Sequence, residues 1–190
     1  MEILLHPAEQ KFLVDQVRSL GPSSVVTEWG SGGSTILMLN NMVDDQRLIS
    51  IEHSEKWWNK VTELARGLPE DVAKRLIYHH VPTGMPYEAG ADRDAMDLRA
   101  YTYSTPAEEL PTYNRAYINP YEGCFHSDLY LVDGISRGAC LATIYAKASN
   151  RDAVVLLHDH TGREEWYSWA TSLYKTAEKG PDNFLVLRMK

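Results

Sequence analysis

Short apolar runs rich in Val, Ile and Leu alternate along this chain with longer stretches of helical periodicity, and that alternation constrains the fold more than any other feature. "SVVTEW" (24–29), "RLISIEH" (47–53), "RLIYHHV" (75–81), "SDLYLVDG" (127–134), "DAVVLLHDH" (152–160) and "NFLVLRM" (183–189) read as six strands. A helix over 7–20 precedes them, with Pro7 in its first turn and Phe12, Leu13, Val17 and Leu20 at helical spacing. "STILMLNNMV", capped by Ser34, and "SEKWWNKVTELARGL", capped by Ser54, follow strands one and two. "SRGACLATIYAKAS" follows strand four, and "REEWYSWATSLYKTAEKG", ended by Gly180, follows strand five. Strands alternating with helices form a parallel sheet covered on both faces, and right-handed crossovers make it doubly wound. The expected fold is therefore an α/β, mostly parallel sheet of about six strands, ordered 3-2-1-4-5 plus a last strand. The 190 residues read as a single domain, 1–190.

A net charge of −7, with no densely basic window, excludes a general nucleic-acid binder, which needs a basic stripe to replace counterions. No apolar run approaches the roughly 20 residues that span a bilayer, and no basic segment followed by a long apolar core marks a signal peptide. Cys124 and Cys140 form no CxxC pair, and Cys140 in "GACLATIYA" reads as a small buried hydrophobe. A reduced, cytoplasmic setting and a small-molecule partner are expected, with no membrane partner. Oligomeric state is left open, as is membership of a longer multidomain chain.

Ligands of such a sheet sit beyond the carboxyl ends of the strands, where strand order reverses. Four strands end in acids there: Glu28, Glu52, Asp133 and Asp159. The turn Gly30-Ser31-Gly32-Gly33-Ser34 lets a ligand approach the backbone. Pyrophosphate would suit such a turn, but Glu28 beside it repels an anion. The fingerprint GxGxxG is also unfinished, because Thr35 stands where its last Gly would be, and no GxxxxGK[ST] occurs. A ligand with a cationic head matches better.

"EWGSGGS" resembles the E/DxGxGxG motif of class I S-adenosylmethionine-dependent methyltransferases, with Glu28, Gly30, Gly32 and Ser34 at the matching positions. The resemblance implies S-adenosylmethionine as cofactor, with its methionine and ribose cradled by Gly30, Ser31, Gly32, Gly33 and Ser34. It also implies that Glu52, next to His53, holds the ribose hydroxyls. "DLYLVDG" resembles the family's fourth-strand motif, and "VVLLHDHTGREEWY" a fifth-strand segment of small-molecule methyltransferases, so the likeness spans roughly 22–175. Two departures stand out. The family usually has seven strands, one of them antiparallel, against six legible here. "HHVPTG" supplies no acid for adenine after strand three, which leaves backbone contacts near Val81.

For the chemistry, Asp133, His158, Asp159 and His160 cluster after strands four and five, with Arg137 and Arg163 nearby. His160 or Asp159 would be the base that takes the proton of an acceptor hydroxyl. The plainer alternatives are that His158 packs within its strand and Asp159 caps the next helix. Magnesium held by Asp133 and Asp159 is another option, although "HDH" lacks the second consecutive acid common in such sites. Zinc is disfavoured by the histidine spacing. A long irregular stretch, about 83–126, carries Tyr87, Tyr101, Tyr103, Tyr113, Tyr117 and Tyr121, suited to covering a sugar or aromatic acceptor, with at least half expected simply to pack. Trp57 fits core packing better than adenine contact, and Trp166 and Trp169 read as core. The sequence is thus read as a methyltransferase acting on a hydroxyl of a small molecule, a sugar or glycan terminus before a phenol. The alternatives are a nicotinamide-dependent oxidoreductase and a non-catalytic cofactor-binding module.

Overall fold

A computed structural model of the chain describes residues 5–43, 45–82 and 112–189. Helix α1 (Pro7–Ser19) leads into strand β1 (Val25–Trp29), followed by α2 (Gly33–Leu39), β2 (Arg47–Glu52), α3 (Glu55–Arg66), the single turn α4 (Glu70–Ala73) and β3 (Leu76–His80). The second half runs α5 (Thr112–Ile118), β4 (Leu129–Val132), α6 (Arg137–Lys147), β5 (Val154–Leu157), α7 (Glu164–Thr171), β6 (Thr176–Lys179) and β7 (Leu185–Arg188). The sheet order is β3-β2-β1-β4-β5-β7-β6. Strands β1 to β5 pair in parallel, while β7 runs antiparallel to both β5 and β6. The doubly wound order expected from the sequence is present, and a seventh strand completes it. That strand comes from the tail of the predicted last helix, which stops at Thr171.

The alternating period of the strands divides the core into two layers. Trp29, Ile49, Ile51, Tyr130, Val132, Val155 and Leu157 point to one face, under α5, α6 and α7. Val26, Leu48, Leu129, Leu131 and Leu156 point to the other, under α1 and α2. Winding reverses between β1 and β4: α2, after β1, covers one face, and α6, after β4, covers the opposite one. The two connections diverge at this point and open a crevice. Backbones meet tightly at its floor, since a Cβ on Gly30 would lie 2.4 Å from Gly134 Cα. Gly30 also sits at φ 92°, so both space and backbone conformation demand glycine.

Cys124 and Cys140 are buried free thiols. No helix among the described residues is long and apolar enough to cross a membrane. Residues 83–111, with Tyr87, Tyr101 and Tyr103, lie outside the described residues, as does the side chain of Tyr113.

Candidate cofactor and acceptor site

The crevice holds a cavity of about 410 Å³, walled by the turn after β1, the end of β2 and the ends of β4 and β5. That volume lies within the range of small-molecule sites. On the first wall, Gly30 to Ser34 all line the cavity. Gly32 has no heavy atom within 4 Å of where a Cβ would stand, so its bare backbone faces open space. Helix α2 begins here with Gly32 as N-cap, two residues earlier than a Ser34 cap would place it, and Gly32 N–H donates to Thr35 Oγ1 at 2.9 Å.

Glu28 is not brought to the cavity. Residue 28 shares its sheet face with Val26, beneath α2, and it is fully buried. Its carboxylate accepts hydroxyl protons from Ser34 (2.5 Å), Thr35 (2.6 Å) and Ser50 (2.7 Å). Ser50 is its register partner on β2, which explains their shared face. Burial pushes the Glu28 carboxyl up to about 7, against the pull of these three hydroxyls. The acid therefore pins the turn from below, and Ser34, though it touches the cavity, spends its hydroxyl on that bond.

On the second wall, Glu52 lies at the end of β2, with its carboxylate fully organised. Oε2 accepts from Ser31 N–H at 2.7 Å and Ser31 Oγ at 2.8 Å. Oε1 accepts from Ser54 N–H at 2.7 Å and lies 3.0 Å from His53 Nδ1. Burial opposes ionisation, but His53 and these donors outweigh it and lower the pKa. Ser31 Oγ has a second partner, Tyr78 OH, at 2.5 Å. His53 lines the cavity, and so does half-buried Trp57, which belongs to neither core layer. The helical spacing of Trp57 suggested core; its place one turn into α3 turns it toward the crevice instead. Val81 packs against the core, donates its N–H to Glu52 O at 2.7 Å and is not among the lining residues.

The third wall is a compact charge cluster at the ends of β4 and β5. His158 Nδ1 lies 2.9 Å from Asp133 Oδ1, and its Nε2 lies 3.2 Å from Glu9 Oε1. Both ring nitrogens therefore stand against carboxylates. Burial lowers the His158 pKa, but Asp133, Asp159 and Glu9 together carry it above its ordinary value. Glu9 is fully buried and also accepts the N–H groups of His6 and Asn183. It escaped the sequence reading.

Arg137 is 5% exposed and reaches three backbone carbonyls, donating to Gly134 O at 2.8 Å, Asp133 O at 2.9 Å and His158 O at 2.5 Å. Its Nη2 also lies 3.4 Å from both Asp133 Oδ1 and Asp159 Oδ2. Arg163 holds Asp159 Oδ2 at 3.2 Å. Burial raises the Asp159 pKa, yet Arg137, His158 and Arg163 bring it below its ordinary value. Ser136 and Asp159 both take positive φ, 50° and 55°, so strained backbone flanks the cluster on both strands. His160 is left out: it stacks on Tyr167, donates its N–H to Asn183 O and does not line the cavity.

One ligand atom each from Asp133, His158 and Asp159 falls within 4.8 Å of the others, a constellation able to surround a cation. A magnesium ion does not fit among them as they stand. It would need oxygens at about 2.1 Å, whereas the Arg137 guanidinium already bridges the two carboxylates and would repel it. S-adenosylmethionine, by contrast, fits the first two walls: a bare glycine turn, an ionised carboxylate and a flat indole border one cavity.

The chain has no match among family models, and none among curated proteins. Solved structures do resemble it. A methyltransferase-like protein of Silicibacter pomeroyi DSS-3 superposes with a TM-score of 0.73 at 18% identity, over 100% of this chain and 88% of that one. An O-methyltransferase of Bacillus cereus, solved with S-adenosylhomocysteine, gives 0.64 at 17% identity over 98% and 82%. An O-methyltransferase of Streptomyces achromogenes involved in tomaymycin synthesis, solved with S-adenosylmethionine, gives 0.58 at 16% over 99% and 82%. At these identities the likeness is one of fold: the chain has the Rossmann-like architecture of class I methyltransferases.

Proposed function

We propose that this chain is an S-adenosylmethionine-dependent methyltransferase acting on a hydroxyl of a small molecule, with a sugar or glycan terminus as first choice of acceptor. The observation that carries the reading is the single cavity in which the open Gly32 turn and the Glu52 carboxylate face the Asp133 cluster. Methyltransferases of the same fold, two of them solved with S-adenosylmethionine or its product, support it.

When bound, the cofactor supplies a methyl group on a sulfonium, ready for in-line displacement. Gly30 to Gly33 admit its methionine and ribose. Glu52 would hold the ribose hydroxyls, and Ser31 Oγ, which also lies against Tyr78 OH, would keep that partner. Trp57 offers a flat wall to the base. Asp133 Oδ2 takes none of the hydrogen bonds formed among the described residues, because His158 binds Oδ1. That leaves Asp133 Oδ2 to accept the proton of the acceptor hydroxyl, while His158 and Glu9 hold the carboxylate in place from behind. Neither His158, with both nitrogens engaged, nor Asp159, paired with two arginines, has that freedom. The choice of a sugar rests on the tyrosine-rich stretch of the sequence.

Release of S-adenosylhomocysteine, followed over panels of sugars and phenols, tests the reading. The wild-type protein should turn over with a hydroxyl acceptor. Asp133→Asn should keep its thermal shift with S-adenosylhomocysteine and lose about 100-fold or more in turnover. Equal turnover in that variant removes Asp133 from the mechanism, and turnover only with amines removes the hydroxyl.

A further inference from the structure

We propose that Arg137 stands in the place of a divalent cation, so that the acids at the ends of β4 and β5 are organised by a guanidinium and the site works without metal. Asp133 and Asp159 project from neighbouring strands toward one point, as two oxygen ligands of a hard cation would. At that point lies Arg137 Nη2, 3.4 Å from an oxygen of each. The guanidinium is not a mobile surface charge. Its Nε, Nη1 and Nη2 are spent on the carbonyls of Gly134, His158 and Asp133, which fixes it to the backbone of both strands. Such a planar fork remains charged at any working pH and supplies several fixed donors at once.

Three carboxylates, Glu9, Asp133 and Asp159, face Arg137, Arg163 and the doubly bonded His158. A divalent ion added to this set would meet two guanidinium groups and find the inner oxygens already bridged. The consequence for the acceptor rests on the methyltransferase reading: a substrate with two adjacent oxygens gains nothing from chelation here, so the site takes a single hydroxyl, met by Asp133 alone. The metal question itself does not depend on that reading.

Manganese is the probe. Electron paramagnetic resonance of Mn²⁺ titrated with the full-length wild-type protein should show no bound fraction up to about 1 mM, the weak end of oxygen-ligand sites. Arg137→Met keeps an unbranched stem and removes the charge; it should bind Mn²⁺ about tenfold tighter than wild type, or better. Adding Asp159→Asn to it should abolish that gain. A folded Arg137→Met protein that binds no better than wild type overturns the proposal, as does micromolar Mn²⁺ binding by wild type that Asp159→Asn removes. Should Arg137→Met fail to fold, Asp159→Asn alone decides. Its melting temperature should fall by the same interval in EDTA and in Mn²⁺; a wild-type melt raised by Mn²⁺, beside a variant that is not, overturns it. Binding of S-adenosylhomocysteine, measured separately, reports on the methyltransferase reading and leaves these outcomes unchanged.

Discussion

At Gly30 a methyl group would land 2.4 Å from the Gly134 backbone in a residue already at φ 92°, while at Gly32, two residues on, it would meet nothing within 4 Å. The same substitution therefore has opposite signatures at the two positions. Gly30→Ala should destabilise the fold by roughly 2–5 kcal/mol, through overpacking and backbone strain together. Gly32→Ala should leave urea unfolding unchanged and weaken S-adenosylhomocysteine binding, because its methyl occupies the cavity. Glu28 offers a second test at this scale. Its ordinary value of 4.5 is raised to about 7 in the fold, so its contribution to stability is fully present below pH 4.5 and is lost as the pH rises through 7. The difference corresponds to about 3 kcal/mol. Glu28→Gln should flatten this slope, gaining on wild type by about that amount between pH 4.5 and 8 in urea midpoints. A wild-type protein that grows more stable over the same window contradicts the burial argument. The motif containing Glu28 was legible in the sequence, but its task was not: the period of the strand decides that residue 28 faces α2, and three hydroxyls at positions 34, 35 and 50 then claim its oxygens.

Helix α1 shows how one side chain ties an element into the site. Glu9 binds the N–H of His6 within its own helix, the N–H of Asn183 before β7 and the ring of His158 after β5. Glu9→Ala should cost about 3–5 kcal/mol, as expected when one partner of a buried charged pair is removed, and Glu9→Gln should cost less. Because the His158 pKa is raised above its ordinary 6.5, its pairing stabilises the fold fully below pH 6.5 and fades as the pH passes its folded value. Glu9→Gln should move that fading, and the NMR titration of the His158 ring, to lower pH; an unmoved titration denies the contact. Elements with a buried face were readable: β1, β2, β4 and β5 fell where their apolar runs predicted. Strand β6 was hidden because Ala177, Glu178 and Lys179 are exposed and carry no alternation. Only pairing with β7, held by a turn in which Gly180 N–H donates to Phe184 O, makes it a strand.

Over the whole molecule, the reversal of winding between β1 and β4 brings residues from distant parts of the chain to one crevice. The sequence supplied Glu52, Asp133, His158 and Asp159 as strand-end residues, and the parallel register places all four on the same rim. Glu9 and the bridging position of Arg137 were beyond its reach. Both depend on contacts across the fold, Glu9 with His158 being 149 residues apart, and no local pattern encodes such a meeting. His160 failed to join for a converse reason, since the positive φ of Asp159 turns the chain away after β5. The central claim is that this crevice binds S-adenosylmethionine through the glycine turn and Glu52. Isothermal titration calorimetry of wild-type protein and Glu52→Ala, each with S-adenosylhomocysteine and with NAD⁺, tests it most directly. The account predicts one saturable site for S-adenosylhomocysteine, weakened about 30-fold or more (roughly 2 kcal/mol) in Glu52→Ala, and no heat from NAD⁺. Tight NAD⁺ binding with no heat from S-adenosylhomocysteine would contradict it.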